Sequence, residues 1–71
     1  MNELDCVRLT KAFEDLVPGT EGTIVHKYND DDFEVEFFDT SKETIGVYTI
    51  GKGCLELMVP FVTSTQPSEN R

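Results

Sequence analysis

The sequence predicts a small all-β domain, a five-stranded antiparallel barrel with a long loop after the first strand. The chain has 71 residues, enough for one domain. Apolar and polar residues alternate in most segments, and clusters of Gly, Pro, Asn and Asp separate those segments. An open five-stranded sheet would leave edges free to pair with other chains, so we expect the sheet to close.

The first strand and the loop after it have opposite patterns. In "LDCVRLT", Val7 and Leu9 alternate with polar residues, as in a half-buried strand. Residues 11–22 show no long period and contain Pro18-Gly19, which predicts a long loop. We expect one helical turn over 13–16 in this loop, and its apolar residues, Phe13 and Leu16, to tuck the loop against the core.

The second and third strands follow as "TIVHKY" (23–28) and "FEVEFF" (33–38), joined by a turn of Asn and Asp residues. Strict alternation directs one set of "FEVEFF" side chains to the core and leaves Glu34 and Glu36 in water. The expected core set is Phe33, Val35 and Phe37, together with Val7, Ile24 or Val25, and Ile45 or Val47.

The fourth strand is "TIGVYTI" (44–50), where Ile45 and Val47 lie opposite Tyr48 and Ile50. Its Gly46 indicates a bend or the close approach of another strand. The segment "GKG" breaks the chain, and a short turn and a last strand follow in "CLELMVPF" (54–61). These elements indicate an SH3-like barrel over residues 1–62, followed by a flexible polar tail over 63–71.

The two cysteines lie near opposite ends of the predicted barrel. We expect Cys6 and Cys54 to be reduced and mostly buried as small apolar residues. A disulfide between them stays open as an alternative if the first and last strands are neighbours.

Four segments of the chain share their pattern with a known family. "ELDCVRLT", "GTEGTIVHKY", "FEVEFFD" and "LELM" resemble short, uncharacterised bacterial proteins over roughly residues 3–59. The stretch 19–25 also resembles the turn-and-strand core of KOW and other SH3-like domains. The resemblance implies a small β-barrel and no activity, because the family is a domain of unknown function. Some of its members are regarded as companions of toxin-like proteins. Cys6 departs from the family pattern, where an aliphatic residue is expected.

The charge of the chain argues against several partners. Fourteen acidic and six basic residues give a net charge of −8. The basic residues are scattered, so we expect no nucleic-acid binding and no binding to anionic membranes. No apolar run approaches the roughly 18 residues of a membrane span, and no signal peptide is visible, which predicts a cytoplasmic protein. Acidity suits a basic protein partner, and it also suits plain solubility.

No constellation of residues predicts catalysis, so we expect a non-enzyme that binds no cofactor. His26 is the only histidine, and with Cys6 and Cys54 it supplies three zinc ligands where four are usual. Neither a nucleophile elbow nor a phosphate-binding loop is present. The aspartates 30–32 are contiguous, unlike the spaced ligands of an EF-hand, so we predict a turn and no specific metal site.

Phe38 is the residue that the alternation does not explain. It follows Phe37 and therefore lies on the outer side with Glu34 and Glu36. Either the long loop or the tail covers it, or it forms a protein contact rimmed by acids. The second hypothesis gives a candidate partner-binding set of Tyr28, Glu34, Glu36, Phe38 and Tyr48.

The favoured role is a protein-interaction module, in the form of an antitoxin-like or regulatory partner of a basic protein. The alternatives are a nucleic-acid-associated KOW-like domain and a self-associating homo-oligomer. The identity of the partner, the biological process and the oligomeric state stay open at the level of sequence.

Overall fold

The computed structural model describes residues 1–59, and Val59 in its backbone only. These residues form five strands and one short 3-10 helix, which confirms the all-β prediction. The strands are β1 (Cys6–Leu9), β2 (Glu21–Lys27), β3 (Asp32–Phe38), β4 (Thr44–Gly51) and β5 (Leu55–Val59), with the 3-10 helix at Lys52–Cys54.

The strands build a single antiparallel sheet in the order β4-β3-β2-β1-β5. The antiparallel pairing is as predicted, and β1 and β5, the first and last strands, are indeed neighbours. The predicted closure into a barrel is not observed. Within residues 1–59, β4 and β5 each pair with one strand, so each of them leaves one backbone edge open.

One face of the sheet carries the core. The central residues of β3, Phe33, Val35 and Phe37, are almost fully buried, as the alternation predicts. The sequence allowed either Ile24 or Val25 of β2 in the core; in the structure Ile24 is buried and Val25 is exposed. The buried apolar set is Val7, Leu9, Leu16, Ile24, Phe33, Val35, Phe37, Ile50 and Leu55.

The prediction that Ile45 or Val47 of β4 faces the core is wrong. Val35 pairs with Tyr48 and Phe33 pairs with Ile50, so Tyr48 and Ile50 share the core face. Ile45 and Val47 are 42% and 51% exposed instead. Apolar residues occupy both parities of "IGVYTI", and alternation alone therefore could not choose between the two faces.

The long loop contains a tight turn where a helical turn was expected. Phe13 and Leu16 exchange two backbone hydrogen bonds, with N···O distances of 3.1 and 2.8 Å, which is a bridge across two residues. The positive φ of Glu14, 52°, supports this reversal. The packing prediction holds, because Leu16 is buried and Phe13 packs on the core.

The burial predicted for Cys6 is wrong, and that predicted for Cys54 holds only in part, because Cys54 packs partly buried against the core. Cys6 is exposed and Cys54 is half-buried, and both thiols are free. Cys6 has the opposite parity to the buried Val7, and it pairs with Thr23 on the outer side of the sheet. The domain boundary at residue 62 and the tail over 63–71 lie outside the described residues.

Candidate protein-interaction surface

The outer face is the side of the sheet opposite the core, and the acids of β3 lie at its centre. Glu34 pairs with Thr49 of β4 and with His26 of β2. Glu36 pairs with Val47 and with Thr23. Directly paired residues lie on the same side, so the two strands beside β3 place these side chains around the carboxylates.

Glu34 accepts two hydrogen bonds at one oxygen. The Tyr28 hydroxyl donates to Glu34 Oε1 at 2.8 Å, and the Thr49 hydroxyl donates to the same atom at 2.9 Å. These donors, Tyr28 first, hold the pKa of Glu34 below its ordinary value. The same bond raises the pKa of Tyr28. The Tyr28 ring is also fixed edge-on to His26, with centroids 4.6 Å apart.

Glu36 is held in place by the neighbouring strand. The Thr44 hydroxyl donates to Glu36 Oε2 at 2.7 Å. Both outer-face glutamates are therefore oriented by neutral hydroxyl groups, and neither forms an ion pair within the described residues. Two carboxylates that no basic side chain of residues 1–59 neutralises give this face its negative potential.

Phe38 lies between two shallow grooves, and its side chain is half-buried. The first groove, of about 600 Å³, runs between the long loop and the β3–β4 turn. The second, of about 370 Å³, runs toward β1 and β5. The end of the long loop and Phe38 line the first groove together, and the two grooves lie on either side of Phe38. Residues lining one groove or both include Val17, Pro18, Glu21, Lys42, Ile45, Cys6, Thr23 and Met58.

Tyr48 lies apart from the other four predicted site residues. It is on the core side, where its ring meets Phe37 edge-on at 5.9 Å and Phe13 at 6.2 Å. Its hydroxyl donates to Asp15 Oδ1 at 3.3 Å. Burial first, and then the charge of Asp15, raise the pKa of Tyr48. The structure therefore brings together Tyr28, Glu34, Glu36 and Phe38, and it gives Tyr48 a packing role.

The aspartate-rich turn is organised by a side chain amide. Asn29 Oδ1 accepts hydrogen bonds from the backbone N–H groups of Asp31, at 2.7 Å, and Asp32, at 2.9 Å. Such Asx bonding is what closes the turn. In the described part of the chain, no three His, Cys, Asp or Glu side chains converge as metal ligands would. No helix among residues 1–59 is long and apolar enough to cross a membrane.

Comparison with known families identifies the chain at the level of its domain. The family described as a domain of unknown function (DUF4926) matches residues 3–57, which cover β1 to β4 and the first residues of β5. The chain belongs to the DUF4926 family. No curated protein gives a significant match to it. No solved structure gives one either.

Sequence reasoning missed several residues of this DUF4926 surface. Met58 and Ile45 line the grooves beside Phe38, yet neither fits a simple alternation. Both lie where the strand register shifts, between Phe37 and Phe38 in one ladder and between Cys6 and Val7 in the other. A bulge adds a residue and changes the parity that follows it, so only the pairing pattern could have revealed these residues.

Proposed function

We propose that this DUF4926 domain is a non-catalytic protein-interaction module that binds a basic protein through its outer face. The observation that carries the proposal is the position of Phe38, between two open grooves and on the same face as two oriented carboxylates. An aromatic residue beside apolar grooves supplies contact area, and acids at its rim supply selection for a basic partner.

The pairing of the basic residues disfavours nucleic acid as the partner. Arg8 contacts Glu56 at 3.0 Å, Lys27 contacts Asp30 at 3.5 Å, and Lys42 lies 4.0 Å from Glu21. Three of the five basic residues in the described part of the chain thus lie within 4.0 Å of acids of the same chain. A phosphate backbone would have to displace those acids and meet a net charge of −8.

The same reasoning extends to the class of protein. The order with β1 between β2 and β5, and the 3-10 helix before the last strand, support an SH3-like fold for the domain. We place it in the bacterial cytoplasm, as an antitoxin-like or regulatory partner of a basic protein. Glu34 and Glu36 form no ion pair with a basic side chain of residues 1–59, so both carboxylates are available to a Lys or Arg of a partner.

The test begins with affinity capture from the source organism and continues with the purified partner. The decisive comparison is between Glu34→Gln/Glu36→Gln and Asp30→Asn/Asp31→Asn. Each pair removes two charges, and the first keeps acceptors for the Tyr28, Thr49 and Thr44 hydroxyls. We expect the outer-face pair to slow association and flatten its salt dependence more than the turn pair does.

Equal effects of the two pairs would mean that only the net charge matters and would contradict an outer-face site. Saturable binding to RNA oligomers at physiological salt, with a steep salt dependence, would favour the KOW-like alternative. A concentration-dependent increase in mass of the isolated chain, by sedimentation equilibrium, would favour the homo-oligomer. Melting curves of each variant confirm that the fold is intact.

A further inference from the structure

We propose that the open backbone edge of β4 is the place where the basic partner docks, as an extended segment added to the sheet as a further strand. This inference rests on the proposed function, and it names the form of the partner and the atoms that hold it. Strand addition uses main-chain hydrogen bonds for affinity and alternate side chains for selection. The β4 edge meets both needs.

The hydrogen-bond register shows which groups of β4 are free. Lys52 N–H donates to the Asp31 carbonyl at 2.7 Å, so this pair of residues is a hydrogen-bonded pair. In an antiparallel ladder every second pair is bonded, so between the register shift at Ile45 and Lys52 the bonded pairs are those of the even-numbered residues. Val47 and Thr49 therefore direct their N–H and C=O groups away from β3. No strand of the described chain lies on that side.

The sequence of β4 lacks the usual protection of an edge. Proteins guard open edges with Pro, with charged residues or with coverage by another element. Residues 45–50, "IGVYTI", contain no Pro and no charge, and they are rich in residues that favour strands. The other edge strand, β5, carries Glu56 in an ion pair with Arg8. Of the two edges, β4 is the one built for pairing.

The charges beside this edge select a basic segment. On the outer face, Glu34 of β3 lies beside Thr49 of β4, and Glu36 lies beside Val47. On the core side, Asp15 accepts a hydrogen bond from Tyr48. A strand added to β4 would lie two strand spacings from β3, about 10 Å. A Lys or Arg side chain spans most of that distance and can meet a glutamate.

A second copy of the chain suits this edge less well. Two copies would each bring a net charge of −8, and pairing of their β4 strands would set both acidic faces side by side. The glutamates lie on β3, one strand in from the paired edges, so the repulsion acts between the two acidic domains as wholes and opposes their association. Charge complementarity therefore favours an extended basic segment in which basic and apolar residues alternate.

The first test uses a synthetic peptide of four Arg-Val repeats, titrated at low salt into the labelled full chain and followed by NMR. We expect saturable binding with the largest amide shifts at Val47 and Thr49. Hydrogen exchange of those two amides should slow on binding. The matched probes are the same peptide N-methylated at its Arg residues, whose amides would face β4 and whose charge is kept, and four Glu-Val repeats. Neither should bind.

The second test alters the chain. Thr49→Pro removes the outward N–H group and leaves the bonds to β3 in place, which an edge strand tolerates. Its control, Thr49→Val, also loses the hydroxyl bond to Glu34 but keeps the N–H group. We expect Thr49→Pro to weaken binding of the Arg-Val peptide by about tenfold and Thr49→Val to weaken it by much less.

Several results would overturn the proposal. These are no binding up to millimolar peptide, equal binding of the N-methylated peptide, or shifts confined to the grooves beside Phe38. Protection of Val47 and Thr49 by self-association of the free chain would assign the edge to a second copy. A basic partner protein that binds Thr49→Pro as tightly as wild type would end strand addition and leave the proposed function intact. The capture experiment, by contrast, ends the proposed function if no basic protein binds.

Discussion

Gly22 lies directly against the backbone of Glu36. A Cβ atom at Gly22 would stand 2.7 Å from the Glu36 carbonyl oxygen and 2.8 Å from Val35 Cγ1. Gly22 is buried in β2 between β1 and β3, so neither neighbouring backbone can yield without disturbing two ladders. The close approach of these strands therefore depends on the missing side chain.

Gly22→Ala should destabilise the domain by about 1–3 kcal/mol because it overpacks a backbone contact. In thermal unfolding of a domain this small, each kcal/mol lowers the Tm by roughly 4–8 °C. The matched control is Gly53→Ala, where a Cβ would meet nothing within 4 Å. Equal melting temperatures for the two variants would show that β2 and β3 separate easily at this point.

The assignment of the core face of β4 can be tested with one substitution made at two positions. Ile50 is 2% exposed and Ile45 is 42% exposed, although both belong to β4. Ile50→Val should cost about 0.5–1.5 kcal/mol in the free energy of unfolding, because it removes a buried methylene. Ile45→Val should fall within about 0.5 kcal/mol of wild type. Chemical denaturation measures both, and the reverse ranking would restore the face predicted from the sequence.

The fold class could be predicted from the sequence because the alternation in the third strand is compatible with only one buried face. In "FEVEFF" the apolar residues Phe33, Val35 and Phe37 alternate with acids, and no other register buries them together. β4 offered no such contrast, since Ile45 and Val47 compete with Tyr48 and Ile50. There the hydrogen-bonded register with β3 made the choice.

The candidate site was predictable only where alternation continued unbroken. Glu34, Glu36 and Phe38 share a face because they are two residues apart in one strand. Met58 and Ile45 joined that surface through shifts of register, which depend on pairing between distant segments. The position of the long loop beside Phe38, across the first groove, depends on the tertiary structure and could not be decided from residue types.

The two thiols should differ in reactivity. Cys6 is exposed on the outer side of β1, and Cys54 is half-buried in the 3-10 helix. Because access limits thiol modification, Cys6 should react first with an aromatic disulfide reagent on the native protein. Cys6→Ser should remove the fast phase and leave the slow one. Slow labelling of both thiols until denaturant is added would support the burial predicted from the sequence.

Calcium should leave the stability of the domain almost unchanged. The side chain of Asn29 already accepts the backbone N–H groups of Asp31 and Asp32, which closes the turn. In the described chain, the aspartates of the turn do not converge with other ligands on a metal position. An ion that bound only the native state at 100 times its Kd would add about 2.7 kcal/mol. We expect no such shift of the Tm in millimolar calcium. A shift of that size, abolished by Asp31→Ala, would reveal a site in the turn.

The Tyr28–Glu34 hydrogen bond should make stability depend on pH in the acidic range. It holds the folded-state pKa of Glu34 below the ordinary value of 4.5, so ionised Glu34 stabilises the fold above that pH. That contribution is lost as the pH falls from 4.5 through the lowered pKa. Tyr28→Phe removes the hydrogen bond that lowers the Glu34 pKa most, so the pKa of Glu34 should rise. NMR of the side-chain carboxyl group measures this pKa. Thr49→Val should raise it less.

The phenol side of the same pair gives an independent check at alkaline pH. The hydrogen bond to Glu34 raises the folded-state pKa of Tyr28 above 10.0, so its contribution to stability is present below pH 10. It is lost as the pH rises through the raised pKa. In an ultraviolet titration, Glu34→Gln should lower the Tyr28 midpoint, because the neutral amide neither repels the phenolate nor accepts as strongly. Tyr48 has no contact with Glu34 in the described structure, and its midpoint should not move. An unchanged Tyr28 midpoint in Glu34→Gln would mean that the bond does not persist in solution.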